Sequence, residues 1–248
     1  MTSAIKVSFV VPAFNEERLL PLTLRSIVAE IRHANCPAEV IVVDDGSTDS
    51  TSEIARQFGA LTLSHAGRAG LVSARMTGFH AARGELIANV DADTIIPKGW
   101  LQSVLTEFAH NPSLVCVSGP YFYNDLSRPV QMAVRLFYCF GYFLYLLNQF
   151  VFRVGSLVQG GNFVVTKQAL LQIGGYSEGF KFYGEDTDLA RRLIAVGYVK
   201  FTFGLLASSS GRRLRSEGLL TMGLRYALNF FWATWLHRPF TNEWKDIR

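Results

Sequence analysis

The sequence predicts an α/β fold with a mostly parallel central sheet covered by helices on both faces. Short β-rich runs alternate with stretches of helical spacing through the first half of the chain, a pattern typical of parallel sheets. Of the 248 residues, 49% are hydrophobic, which is enough for a sizeable core. Polar clusters follow three of the predicted strands, where open α/β sheets bind ligands.

Strands and helices are predicted in alternation up to Gly119. The predicted strands are Val7–Val11, Val40–Val43, Ala60–Leu63, Leu86–Val90 and Leu114–Val117, and the predicted helices are Leu19–Ile31, Thr51–Phe58, Leu71–Ala82 and Trp100–Phe108. The pattern then changes to a long aromatic helix, a strand at Phe163–Thr166, a helix at Asp186–Val196, a strand at Val199–Phe203 and an apolar helix at Leu219–Leu236. Without repeats or linkers, we expect one domain with an N-terminal half (1–118), a second half (119–215) and a helical tail (216–248).

Charge and cysteine content narrow the class of protein. The net charge of +4 is mild, and basic residues cluster only near Arg212, so nucleic-acid binding is not indicated. Cys36, Cys116 and Cys139 are far apart and predict buried, reduced thiols in a cytosolic protein. No signal peptide is apparent before the first strand.

The segment from Leu136 to Phe152 is rich in Phe, Tyr and Leu. It is about one turn short of the ~20 residues that a spanning helix needs. Three interpretations stay open: a buried core or dimer helix, a helix lying in a membrane interface, and a transmembrane span.

Asp91 and Asp93 follow the apolar strand Leu86–Val90, separated by Ala92. In an extended chain alternate side chains share a face, so both carboxylates are expected to reach one divalent cation. Magnesium takes one or two protein carboxylates and completes its shell with water and phosphate oxygens. The triplet alone is a weak signal, since most such triplets are solvated turns.

The second strand ends in Asp44-Asp45-Gly46-Ser47, and Thr48-Asp49 precede the next helix. Turn formation and helix capping explain Ser47 and Asp49. Two adjacent aspartates at a strand end indicate more, and we expect Asp45 to accept a hydrogen bond from a base or a ribose.

A glycine-bearing loop, residues 67–70, leads into the helix that carries Arg75. Exposed backbone amides and a fixed cation suit phosphate or ribose, although Arg75 as a plain surface residue stays an alternative.

Two acidic residues, Glu185 and Asp186, open a predicted helix after Gly184. Acidic side chains at a helix N-terminus are favoured by the helix dipole, so capping explains them in part. The functional hypothesis is that Asp186 removes a proton from an acceptor hydroxyl, which contributes typically ~10²–10⁴-fold.

The segment Ser208–Arg213 begins with three serines and ends in Arg212 and Arg213. We expect a mobile loop that closes over a diphosphate with an arginine fork. A solvated basic turn is the alternative.

Together these motifs resemble the family-2 inverting glycosyltransferases of the GT-A fold. The resemblance covers most of the chain and depends on five motifs in order: residues 10–16, residues 43–47, Arg75, Asp91-Ala92-Asp93 and residues 184–186. No single motif would carry it.

The resemblance implies a role for each matching residue. In the N-terminal half, Pro12, Ala13, Phe14 and Glu16 would line the nucleoside pocket with Asp45 and Arg75 near them. Asp93 would bind Mg²⁺ or Mn²⁺ on the diphosphate, Asp91 would support the ribose or the metal with Ala92 beside it, and Arg212 and Arg213 would contact the leaving group. Asp186 would be the catalytic base, with Glu185 as its neighbour.

The implied reaction is metal-dependent transfer of one sugar from a nucleoside-diphosphate sugar, UDP first and GDP second, to an acceptor hydroxyl. The family's processive synthases carry Gln-x-x-Arg-Trp and several spanning helices, which this chain lacks. The aromatic helix and the apolar tail would suit a lipid-linked or membrane-proximal acceptor, with the protein on the inner face of the membrane, or a homodimer through 136–152.

Other functions fit the sequence less well. A nucleotidyltransferase would have a glycine-rich basic loop after the first strand, and a dehydrogenase would have Gly-x-Gly-x-x-Gly there. This chain has Pro12-Ala13-Phe14-Asn15-Glu16 instead. A catalytically silent nucleotide-sugar-binding module stays an alternative, against which the intact Asp93 and Asp186 argue.

Overall fold

The computed structural model describes residues 4–152, 157–180, 182–241 and 247. The strands are β1 (Val7–Ala13), β2 (Ala38–Asp44), β3 (Leu61–Ser64), β4 (Leu86–Val90), β5 (Thr94–Ile95), β6 (Leu114–Ser118), β7 (Tyr121–Phe122), β8 (Asn162–Thr166), β9 (Tyr198–Phe201) and β10 (Ala207–Ser209). The α-helices are α1 (Leu20–Ala34), α2 (Thr51–Gln57), α3 (Leu71–Ala81), α4 (Trp100–His110), α5 (Arg128–Leu146), α6 (Lys167–Gln172), α7 (Glu185–Leu193), α8 (Arg212–Glu217) and α9 (Leu219–Phe231). Segments of π-helix extend α5 over Leu147–Phe152 and α9 over Trp232–Leu236.

Seven strands form the central sheet in the order β3-β2-β1-β4-β8-β6-β9. Strand β8 runs antiparallel to β4 and β6, whereas the other neighbours pair in parallel. The predicted α/β fold with a mostly parallel sheet is therefore confirmed.

Helices cover both faces of this sheet, and β1 shows how its sequence divides between them. Phe9 and Val11 pack into a cluster with Leu24 of α1. Val10, which points to the opposite face, packs with Phe79 of α3. Because successive strand residues point to opposite faces, a strand buried on both sides must be apolar throughout. All seven residues of β1 are buried accordingly.

A small second sheet, ordered β5-β10-β7, was not predicted. Its strands have only two or three residues, too few for any periodicity to show. Ser208 and Ser209 lie in β10, where they pair with β5. The expectation of a mobile loop at this point is therefore wrong, because the serines belong to a sheet ladder and Arg212 begins a helix.

Helix α5 and its π-helical extension form a continuous helix of 25 residues, Arg128–Phe152, long and apolar enough to cross a membrane. Val134, Tyr138 and Tyr145 pack on the body of the protein, whereas most of the apolar side chains are exposed. The interpretation of this segment as a buried core helix is therefore wrong. Cys139 is also exposed, against the prediction of a buried thiol, while Cys36 and Cys116 are buried and all three are free.

Candidate active site

The loops after β1, β2 and β4 meet at one edge of the central sheet. The parallel register places Ala13, which ends β1, beside Asp44, which ends β2. Because β8 is antiparallel to β4, its first residue Asn162 pairs with Val90. The preceding glycines, residues 160–161, therefore lie at the same edge as the acidic loops.

Asp45 joins the second loop to the glycine-bearing loop. Its carboxylate accepts hydrogen bonds from the backbone N–H groups of Ala69 at 2.9 Å and Gly70 at 2.8 Å. Its Oδ1 also lies 2.7 Å from Nδ1 of His65, whose Nε2 lies 2.9 Å from the Thr77 hydroxyl. Asp45 is therefore held in one orientation, and it lines the cavity described below.

Phe14 and Arg68 form a second contact between these loops. The Arg68 guanidinium lies 4.2 Å from the centre of the Phe14 ring, a cation–π geometry. Both side chains line the cavity, where planar groups of this kind provide surfaces on which a nucleobase stacks.

Arg75 lies at the centre of a buried charge cluster, with 1% of its side chain exposed. Its Nη2 donates to Asp91 Oδ1 at 3.1 Å, and its Nη1 forms an ion pair with Glu185. Burial disfavours the cation, but Glu185 and Asp91 outweigh it and hold the pKa of Arg75 above its usual value. The alternative that Arg75 is a surface residue is wrong, since it links the end of β4 to the start of α7.

Glu185 and Asp186 open α7 after Gly184, which has a φ of +79°. Burial raises the pKa of the Glu185 carboxyl to about 7, against the opposing effect of Arg75. Asp186 accepts a hydrogen bond from the backbone N–H of Gly160 at 3.1 Å. Burial also raises the pKa of Asp186, and this N–H and Arg75 oppose that rise.

Asp91 and Asp93 lie on a turn. The Thr94 N–H donates to the Asp91 carbonyl at 3.0 Å, so the chain bends directly after β4. The expectation that Asp91 and Asp93 share a face because the chain is extended is therefore wrong. The turn nevertheless places both side chains at the cavity.

Arg212, at the start of α8, contacts two carboxylates from distant parts of the chain. Its guanidinium forms an ion pair with Glu16 and donates to Asp93 Oδ2 at 3.1 Å. Burial opposes this charge, but the hydrogen bonds that Arg212 donates to Glu16 and the negative charge of Asp93 raise the pKa of Arg212. Arg213 lies 4.7 Å from the centre of the Phe182 ring. These contacts exclude the alternative that residues 208–213 form a solvated basic turn.

A cavity of about 630 Å³ brings these groups together. Every residue that the sequence singled out as binding or catalytic lines it: Pro12, Ala13, Phe14, Glu16, Asp45, Arg75, Asp91, Ala92, Asp93, Glu185, Asp186, Arg212 and Arg213. Its other wall is apolar and comes from α5 and α9, including Phe137, Leu144, Leu220 and Leu224. A ligand in this space would lie between the β4 turn and the start of α7.

Sequence reasoning missed two residues that support the site. The Tyr121 hydroxyl donates to the Gly160 carbonyl at 2.9 Å and accepts from Thr94 at 3.1 Å. Gly161 has a φ of +78°, and a Cβ there would clash with the Asp91 carboxylate. The adjacent glycines were a visible signal, whereas Tyr121 lies in a two-residue strand that no pattern indicates.

The carboxylates of Asp91 and Asp93 fit a hard divalent cation. Both line the cavity, with 32% and 16% of their side chains exposed. Among the described residues, no group of three or more His, Cys, Asp or Glu is arranged to hold a metal. The arrangement fits a cation that completes its shell with ligand oxygens better than a cage built from protein alone.

Comparison with known protein families decides the class of this chain. A family model described as glycosyl transferase family 2 matches residues 8–173. The chain belongs to this family. A second model, described as the N-terminal domain of galactosyltransferase, matches residues 149–205. The prediction of a family-2 glycosyltransferase is thus confirmed.

Related sequences agree. Protein MJ1222 of Methanocaldococcus jannaschii is 40% identical over 228 residues, 90% of this chain and 84% of that protein. The undecaprenyl-phosphate 4-deoxy-4-formamido-L-arabinose transferase of Photorhabdus laumondii is 39% identical over 94 residues. That match covers 36% of this family-2 chain and 29% of the relative. The chain therefore spans under a third of that transferase.

Solved structures confirm the GT-A fold. The mannosyltransferase PcManGT from Pyrobaculum calidifontis, in complex with GDP-Man and Mn²⁺, has a TM-score of 0.63 at 21% identity. The match covers 89% of this chain and 63% of that one. S. aureus TarS 1–349 in complex with UDP-GlcNAc has a TM-score of 0.63 at 19% identity, covering 83% and 58%.

Proposed function

We propose that this family-2 glycosyltransferase moves one sugar from a nucleoside-diphosphate sugar to an acceptor hydroxyl and inverts the anomeric centre. The observation that carries this proposal is the shared cavity, which Asp91, Asp93 and Asp186 all line. An active site for group transfer needs the leaving group and the base at opposite ends of the reacting bond.

The N-terminal loops would hold the donor. The Asp45 carboxylate, fixed by Ala69, Gly70 and His65, keeps acceptor capacity for an imide N–H of the base. Phe14 and Arg68 offer stacking surfaces to the same ring. We propose uracil as the first choice of base and guanine as the second. One structural neighbour is in complex with UDP-GlcNAc and another with GDP-Man.

The diphosphate would lie beside Asp93 and Arg212. Asp93, supported by Asp91, would hold Mn²⁺ or Mg²⁺, and the bound cation would neutralise charge on the departing diphosphate. Arg212 already lies 3.1 Å from Asp93 and adds a fixed positive charge at the same end.

Asp186 would act as the general base. The acceptor oxygen bonds to the anomeric carbon, while the bond from that carbon to the diphosphate oxygen breaks and its electron pair leaves with the diphosphate. The acceptor proton goes to the Asp186 carboxylate, which Gly160 holds in place. One displacement from the opposite face inverts the anomeric centre.

For the acceptor we propose a lipid-linked or membrane-proximal molecule, and a peripheral position on the inner face of the membrane. The apolar wall of the cavity formed by α5 and α9 supports this choice. The relative from Photorhabdus laumondii has undecaprenyl phosphate, a lipid-linked group, in its name, which is consistent with this choice.

A thermal-shift panel of UDP, GDP and their sugars, with and without Mn²⁺, tests the proposal. We expect one nucleotide to raise the melting temperature in a metal-dependent way, and Asp93→Ala to abolish that rise. The matched control is Glu107→Ala, because Glu107 pairs with Lys200 at 2.7 Å but does not line the cavity. Equal stabilisation of Asp93→Ala and the wild type would overturn the metal assignment, and stabilisation by no nucleotide would favour a different function.

A further inference from the structure

Two helices expose apolar side chains at helical spacing. On α5, the exposed fractions are 64% for Leu136, 61% for Phe140 and 55% for Phe143. On α9, they are 81% for Leu220 and 65% for Leu224. Large apolar surfaces of this kind mark interaction sites in folded proteins.

These two surfaces border one cleft. Phe140 of α5 and Leu220 and Leu224 of α9 are exposed and also line the cavity that contains Asp186. Beyond the ends of the two helices, the rings of Phe152 and Trp235 lie 6.2 Å apart. The active-site cavity therefore opens between two apolar helix surfaces.

The charged side chains on α5 and α9 are all positive. The sequence has no Asp or Glu from residue 126 to 177, or from 218 to 242. Arg128 and Arg135 on α5 and Arg238 after α9 are exposed. Exposed arginines beside an apolar helix surface are attracted to anionic lipid headgroups.

We propose that α5 and α9 lie in the interface of a bilayer that contains anionic lipids, with the cleft between them open to the acyl chains. An amphiphilic acceptor then reaches Asp186 from the bilayer. The acceptor route and the membrane position rest on the proposed function, whereas donor binding can be tested without either.

The packing of α5 favours a helix in the membrane plane over one that crosses it. The Tyr138 hydroxyl donates to Gln159 at 2.7 Å, and the ring of Tyr145, two turns further along, lies 6.3 Å from Phe201. A helix fixed to the protein body at both points cannot also be surrounded by lipid. A second copy of the chain fits less well, since a two-fold contact pairs this surface with itself and the two helices offer no carboxylate to the arginines.

Cosedimentation with vesicles tests the docking. We expect the wild type to bind vesicles of phosphatidylcholine mixed with phosphatidylglycerol more tightly than vesicles of phosphatidylcholine alone. The double variant Leu136→Glu/Phe143→Glu should bind about 100-fold more weakly, because two apolar side chains no longer insert. Neither residue lines the cavity. The control is Leu171→Glu, since Leu171 on α6 is exposed to a similar extent, 61%.

Fluorescence quenching by brominated phosphatidylcholine gives the second measurement. Trp235 is 47% exposed beside Phe152, so insertion should quench its emission, and Trp235→Phe should remove part of the quenching. The proposal would be overturned if the wild type bound neither type of vesicle, or if the double variant bound vesicles as tightly as the wild type. If the wild type formed a dimer and bound no vesicles, and the double variant were monomeric, the surface would be assigned to a second copy of the chain instead.

Metal-dependent nucleotide binding without lipid tests the proposed function separately. Failure of vesicle binding with intact nucleotide binding would remove the docking surface and leave the donor site standing. Vesicle binding without nucleotide binding would support the docking surface and remove the donor site.

Discussion

Two walls of one cavity differ in how their side chains are held. On the wall made by the strand ends and the start of α7, Asp45, Asp91 and Glu185 each contact a partner within the chain. On the wall made by α5 and α9, apolar side chains such as Phe140 and Leu220 are mostly exposed. The first wall is complete as folded, whereas the second leaves apolar area for a partner to cover.

The difference follows from what each wall would bind. Charged groups in a transfer site must be oriented before the reaction, and buried ion pairs fix their positions. An aliphatic chain or a bilayer needs only apolar area, because the hydrophobic effect has no preferred direction. Polar substitutions should therefore act strongly on the first wall, and apolar truncations weakly on the second.

The largest expected effect is on turnover. Asp186→Asn keeps the shape of the side chain but cannot take a proton, so kcat should fall ~10²–10⁴-fold with donor affinity unchanged. Glu178→Gln, an exposed change in the segment before α7, serves as the control. Near-normal kcat in Asp186→Asn would remove this residue as the base.

Arg75→Met tests the buried ion pairs. Removing the guanidinium leaves Glu185 and Asp91 without their partner, and we expect a loss of about 3–5 kcal/mol in the free energy of unfolding. Arg83→Met is the matched control, because the Arg83 side chain is 71% exposed in its pair with Glu39. That pair should contribute no more than about 1 kcal/mol. Urea titrations measure the free energy of unfolding of both variants. Similar losses in the two would contradict the difference between the buried and the exposed ion pair.

The pH dependence of stability tests Glu185 further. Its pKa is raised from 4.5 to about 7 in the folded protein, chiefly by burial, so the folded state holds this proton more tightly than the unfolded chain. The resulting stability is present at low pH and is lost as the pH rises from 4.5 to about 7, by an amount on the order of 1–3 kcal/mol. Unfolding measured across this range should show a flatter profile for Glu185→Gln than for the wild type. Parallel profiles would refute the raised pKa.

The smallest effect is expected on the apolar wall. Leu136→Ala removes a side chain that is 64% exposed, and stability should change by no more than about 0.5 kcal/mol. Leu101→Ala in the core under the first wall removes a fully buried side chain and should cost about 2–5 kcal/mol. If Leu136→Ala cost as much as Leu101→Ala, the face of α5 that carries Leu136 would be packed in the core.

The sequence predicted the first wall better than the second for a physical reason. Strand ends such as Val43-Asp44-Asp45 are local patterns, and β4 begins and ends where expected, at Leu86 and Val90. Ion pairs are not local. Arg75 and Glu185 are 110 residues apart, and Arg212 and Glu16 are 196 apart. No spacing rule predicts such partners, so the sequence placed these residues in one site without showing how they are held.

The central claim is that one bound donor lies between the β4 turn and the start of α7. A crystal structure with Mn²⁺ and the nucleotide sugar selected by the thermal-shift panel tests it most directly, through the anomalous signal of manganese. We predict a peak about 2.1 Å from an Asp93 oxygen, with the sugar between that peak and the Asp186 carboxylate. Manganese bound elsewhere, or a sugar directed away from Asp186, would contradict the account.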